Sequence, residues 1–163
     1  MRCRERGTQL IEFAIVLPVI MLLALIVAEG ANMFRVYELV ANAAREGARF
    51  SSLPQYSYTA QGLKSATDTC TFNSKTTTNG DTVCQGVADY AQDNDLIGAS
   101  LQKCGTFTVS VNQAYTAPGD TTARYSQVSA VCTYQMRWLP KLPFYSTTST
   151  VNIRGTTAFL NFW

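Results

Sequence analysis

Two groups of residues have types and spacings that could do chemistry. The first is Gly7-Thr8 together with Glu12, the lone charge in a long apolar stretch. If the bond after Gly7 is cut, Thr8 carries a new ammonium and Glu12 becomes the fifth residue. On a helix, positions one and five lie one turn apart on one face, so the ammonium and the carboxylate can neutralise each other. The carboxylate can equally reach the ammonium of a neighbouring subunit. The second group is Cys70, Cys84, Cys104 and Cys132, all beyond the apolar stretch, whereas Cys3 precedes it. Four cysteines in a small exported domain read as two disulfides. Zinc is disfavoured, because the chain has no CxxC pair and no histidine.

The remaining chemistry is sparse. Without histidine the chain lacks the commonest general base and the usual metal ligand. Asp89, Asp93 and Asp95 lack the EF-hand pattern and read as a solvated helix end. No Gly-rich phosphate loop or serine elbow is present. These residues lead us to expect no catalytic site, no metal and no cofactor.

The positioning elements begin with Leu10 to Ala28, LIEFAIVLPVIMLLALIVA. These 19 residues make a helix of about 28 Å, close to the hydrocarbon thickness of a bilayer. Arg2, Arg4 and Arg6 precede it, which holds the N-terminus cytoplasmic and exports the rest. A cleaved secretory signal is the alternative, and Ala28-Glu29-Gly30 only weakly imitates its cleavage site. A buried core helix fits less well, since the run is long and has its charge on one side. Glu12 at the edge of such a span costs on the order of 2–3 kcal/mol unless paired or at the interface. Pro18 removes a backbone donor and is expected to kink the helix.

Beyond the span, Met33, Tyr37, Val40, Ala44 and Ala48 recur at helical steps, with Arg35, Glu38, Asn42, Arg45 and Arg49 on another surface. One helix of about forty residues is expected, ended by Leu53-Pro54. Its exported half should lie on the chain's own sheet, with Ala41, Ala44, Gly47 and Ala48 allowing close approach. Strand alternation marks Phe107-Val109-Val111, Val128 to Trp138, and Val151 to Phe159, where Gly155 suggests a bulge. Thr82 to Asp93 reads as a short helix, and residues 55 to 81 as a polar loop. The terminal Phe159, Phe162 and Trp163 read as core packing or a partly exposed last strand. The expected fold is α+β: a long N-terminal helix on a three- or four-stranded antiparallel sheet. Among the three possible pairings the positions favour Cys70–Cys84, closing a short loop, and Cys104–Cys132, joining adjacent strands. Each such link contributes about 2–4 kcal/mol in the chain-entropy picture.

Charge excludes one class of partner. The net charge is +2, from 13 basic and 11 acidic residues. A leader ending at Gly7 holds three arginines and one glutamate, and its loss leaves ten of each sign. No basic field remains to neutralise phosphates, so nucleic acid is not an expected partner.

A basic leader ending in Gly7, then Glu12-Phe13 and an apolar helix, resembles the type IV prepilin signal. Glu12-Phe13-Ala14-Ile15-Val16-Leu17-Pro18 resembles the E-F-A-x-V-x-P segment of TadE-like minor pilins of the Tad (Flp) pilus system. Ala43-Ala44-Arg45-Glu46-Gly47-Ala48-Arg49 is similar to that family's A-A-R-E-G-A-R stretch. The resemblance covers roughly residues 4 to 50. It implies a pilin-like fold divided into a leader (1–7), a transmembrane and assembly helix (8–52) and an exported domain (53–163). It further implies cutting between Gly7 and Thr8 by a prepilin peptidase. The implied location is first the bacterial inner membrane, with the C-terminal domain periplasmic, then the pilus surface. The implied partners are the bilayer before assembly, the inner-membrane assembly machinery and other pilin subunits, with adherence as the outcome. The competing expectation is a permanently tethered extracytoplasmic binding domain that is never polymerised.

Overall fold

Few residues in the first fifty oppose helix, and the computed structural model accordingly carries one helix, α1, from Cys3 to Ser51. Its 49 residues extend about 73 Å. The structure describes residues 3–57, 60, 66–73, 76–77, 82–93, 104–119, 123–136 and 150–162. Pro18 lies inside α1 without ending it. Pro54 opens a single 3-10 turn (Pro54–Tyr56) just past the helix, where its fixed φ suits a first helical position.

The other elements are β1 (Thr67–Asn73), β2 (Thr76–Thr77), α2 (Thr82–Asp93), β3 (Cys104–Tyr115), β4 (Tyr125–Gln135) and β5 (Thr150–Leu160). They form one antiparallel sheet in the order β2-β1-β3-β4-β5. The second half of α1 lies across β4 and β5, and α2 packs beside it. This is the expected α+β arrangement, with more strands than the periodicity marked.

Alternation explains the layers. Phe107, Val109 and Val111 of β3, Val128, Ala130 and Cys132 of β4, and Ile153 of β5 turn inward. They meet Val36, Val40, Ala43, Ala44 and Ala48 of α1 and Val83, Val87 and Ala91 of α2. The opposite face is polar and carries cross-strand bonds such as Arg154 Nε to Ser129 Oγ (3.1 Å) and Thr133 Oγ1 to Asn152 Oδ1 (3.1 Å).

Several expectations need correction. Residues 55–81 are not wholly loop, since β1 and β2 lie there. Only Cys70 and Phe72 of β1 turn into the core, and its threonine-rich partner face made the strand read as polar. Strand β4 is shifted upstream and ends at Gln135. The buried stripe of α1 runs through Val36 rather than Tyr37, which is half exposed. Gly155 is no bulge: β5 pairs with β4 without interruption, and the irregularities lie between β3 and β4. A Cβ at Gly155 would stand 2.8 Å from Ala41 Cα and 2.9 Å from both Ala41 N and Val40 O. The glycine is there because the helix backbone rests on the strand. Phe159 packs partly into the core and Phe162 is exposed. Asp95, Trp138, the 139–143 connection and Trp163 lie outside the described residues.

Candidate functional site

Among the described residues, nothing else in the chain covers the apolar first half of α1. Fourteen large apolar side chains between Leu10 and Val27 are exposed, Leu10 and Val27 at about 70 %. Burying each stabilises by roughly 1.5–3 kcal/mol, so this surface forgoes on the order of 20–40 kcal/mol if it stands in water. It must be covered by lipid or by other helices. The helix is long and apolar enough to cross a membrane once.

Glu12 is exposed on this surface, and Phe13 beside it is 63 % exposed. The backbone of Gly7 and Thr8 belongs to the same unbroken helix, which sets position 8 one turn before Glu12. Pro18 offers no N–H to the Ala14 carbonyl, a local gap in the ladder.

The A-A-R-E-G-A-R stretch divides by face. Ala44, Gly47 and Ala48 are buried at the junction of α1, α2 and β4. A Cβ on Gly47 would collide with Val87 Cγ2 and stand 3.2 Å from Val128 Cγ1. Arg45 and Arg49 point to solvent, and Arg49 pairs with Glu46 at 3.6 Å. This exposed ion pair contributes little. The small residues of the stretch therefore serve packing.

The structure joins Cys70 to Cys84 and Cys104 to Cys132, with Cα separations of 6.3 and 5.3 Å. The first ties β1 to α2, and the second ties β3 to β4. Asp68 lies near the first pair, but sulfurs bonded to each other provide no thiolate for a metal. Asp89 and Asp93 are exposed on α2.

Two polar clusters were not found by sequence reasoning, and together they fasten α1 to the sheet. At the end nearer the apolar run, Glu29 is buried and accepts a 2.8 Å hydrogen bond from the Tyr134 hydroxyl. At the far end, the Ser51 carbonyl is one of the groups a helix terminus leaves without an intrahelical donor. Buried Gln113 brings its Nε2 within 2.9 Å of Ser51 Oγ, 2.8 Å of the Tyr56 carbonyl and 3.4 Å of the Ser51 carbonyl. Ser126 Oγ stands 3.1 Å from the Ser51 carbonyl and 2.6 Å from Asn161 Oδ1, and its single proton serves one of them at a time. Asn161 Nδ2 donates to the Gln113 carbonyl at 2.9 Å. Glu29 to Ser51 spans about 33 Å of helix, and Tyr134 to Ser126 about 27 Å of strand, so helix and strand run side by side between the two clusters. Gln113 and Ser126 each continue an inward-facing alternation, after Val111 and before Val128. A polar residue in an apolar phase was the available signal.

Residues 7–49 match the model of the TadE-like protein family. That segment, about a quarter of the chain, is TadE-like. The match spans the apolar first half of α1 and most of its second half. It supports an association with the Tad pilus system. No curated protein and no solved structure matches the chain.

Proposed function

We propose that this chain is a TadE-like minor pilin. It is stored in the inner membrane by the first half of α1, with its sheet domain in the periplasm, and cut between Gly7 and Thr8 by a prepilin peptidase. It then passes through the membrane assembly machinery into a pilus that supports adherence. The observation that carries this reading is the exposed apolar half of α1 with Glu12 one turn beyond Thr8, inside the segment that matches the family. The same face that lipid covers in storage can pack against the helices of other pilin subunits after extraction. A Thr8 ammonium placed against Glu12 removes the cost of carrying a carboxylate into that apolar bundle. The two disulfides suit an oxidising exported compartment.

Glu12→Ala tests the pairing. The variant is expected to reach the membrane at the normal level and to be depleted from sheared pili, by quantitative immunoblotting of both fractions. Incorporation equal to wild type would remove the pairing from the account. A protein that stays in the membrane fraction in every condition, with pili assembled without it, would instead favour the tethered binding domain.

A further inference from the structure

A groove of 440 Å³ opens where the second half of α1 begins, lined by Gly30, Met33, Phe34 and Tyr37 of the helix and by residues 152–154 of β5. Its volume is within the range of small-molecule sites. We propose that this groove binds one phospholipid with an anionic headgroup. The proposal requires only that α1 crosses the membrane and does not depend on cleavage or polymerisation.

Level is the first reason. Gly30 and Tyr37 follow Ala28, the last residue of the apolar run, by two and nine residues. They therefore stand about 3 and 14 Å above it along the helix. The polar layer on each side of a bilayer is about 5–8 Å deep, so the groove begins inside that layer and rises just past it. Continuity is the second reason. The exposed apolar surface that runs from Leu10 to Val27 carries on into the groove wall, where Phe34 is 62 % and Tyr37 is 50 % exposed. Their rings lie 6.4 Å apart. Aromatic side chains are favoured at this depth.

Charge is the third reason. Arg35, next to Phe34, is exposed and meets no partner among the described residues. Helical side chains lean toward the helix N-terminus, which for Arg35 is the direction of the bilayer. Two acidic side chains flank the groove in sequence: the carboxyl of Glu29 is buried under Tyr134, while exposed Glu38 follows Arg35 by three residues, about 4.5 Å farther from the bilayer, and neither lines the groove. On the other wall, Asn152 and Arg154 turn their side chains over the polar face toward Thr133 and Ser129. They leave backbone to the groove. Strand β5 is the last of the described sheet, so alternate amides along this wall have no neighbouring strand. Phosphate and ester oxygens supply acceptors for such amides. An apolar helix from a second copy does not, because its carbonyls are already bonded.

Native mass spectrometry of the full chain in detergent micelles, titrated with phosphatidylglycerol or phosphatidylcholine, tests this. Wild type should retain one phosphatidylglycerol in preference to phosphatidylcholine. Arg35→Gln should weaken that retention about fivefold, the contribution of one arginine near an anionic surface. Gly30→Leu should abolish it. A Cβ at Gly30 meets no atom within 4 Å, so the leucine enters the groove without disturbing the fold, which an unchanged circular dichroism spectrum verifies. Equal retention of both lipids by all three proteins overturns the proposal. So does displacement by glycerol 3-phosphate, which indicates a soluble phosphate ligand. Cross-linking of a photoreactive residue at position 34 to a second copy, with no lipid retained, also overturns it by assigning the groove to another polypeptide.

Discussion

Replacing Gly155 by alanine places opposing effects in competition. In a strand, glycine weakens structure, and alanine at a compatible position stabilises by about 0.4–1 kcal/mol through the unfolded chain. Here the added Cβ would stand 2.8–2.9 Å from Ala41 Cα, Ala41 N and Val40 O, against 3.4 Å for ordinary contact. The shortfall is about half an ångström, and it falls on backbone that cannot swing aside. The helix must lift from β5 while Glu29 and Ser51 hold its ends to the sheet. Overpacking of this kind costs about 1–3 kcal/mol, so alanine should destabilise by about 1–2 kcal/mol net.

The check is urea unfolding of the oxidised full chain in detergent micelles, followed by near-UV circular dichroism. A midpoint about 1 M lower is expected for a urea slope of 1–3 kcal/mol/M. Gly47→Ala supplies the contrast, because its Cβ would meet side-chain atoms of Val87 and Val128. Val87→Ala should relieve Gly47→Ala, with a coupling of about 1 kcal/mol in a double-mutant cycle. No such rescue exists at Gly155: Ala41→Gly leaves the Cα, the nitrogen and the Val40 carbonyl in place. If Gly155→Ala is as stable as wild type, or if Ala41→Gly restores it, the backbone-contact account is wrong.

Gln113→Leu removes the donor to the Ser51 and Tyr56 carbonyls and should cost about 1–3 kcal/mol. Hydrogen exchange should quicken first at the amides of Leu53 and Tyr56, whose bonds form the turn that Gln113 braces; unchanged exchange there would contradict the bracing role. Tyr134→Phe takes one donor from the buried Glu29 carboxyl and should also cost about 1–3 kcal/mol in the urea midpoint. Glu12→Ala, far from the sheet, should leave that midpoint within about 0.5 kcal/mol of wild type while depleting the protein from pili.

The long helix was legible because its apolar run and its small-residue steps agree over fifty positions, and Gly7, Glu12 and Pro18 stood out as exceptions within it. The inner strands were legible for the same reason, as Phe107-Val109-Val111 alternates cleanly. Strand β1 was not, because its buried phase shows only Cys70 and Phe72 among threonines. Spacing alone puts Tyr37 in the buried stripe. A real helix turns 100° per residue, so Val36, one position earlier, satisfied the rhythm as well, and the sheet selected it. Gly155 looks like a local irregularity in the sequence because the helix that presses on it is more than a hundred residues away. Glu29 and Tyr134 are equally distant, and no local pattern pairs a carboxyl after a span with a tyrosine in a strand.

The account rests on the first half of α1 being both a membrane anchor and an assembly element released at Gly7. Intact-mass analysis and N-terminal sequencing of the protein recovered from membranes and from sheared pili test that most directly. The account predicts a chain beginning at Thr8, with both disulfides formed, in the pilus fraction. A chain retaining Met1, or one cut near Gly30, in every fraction would contradict it.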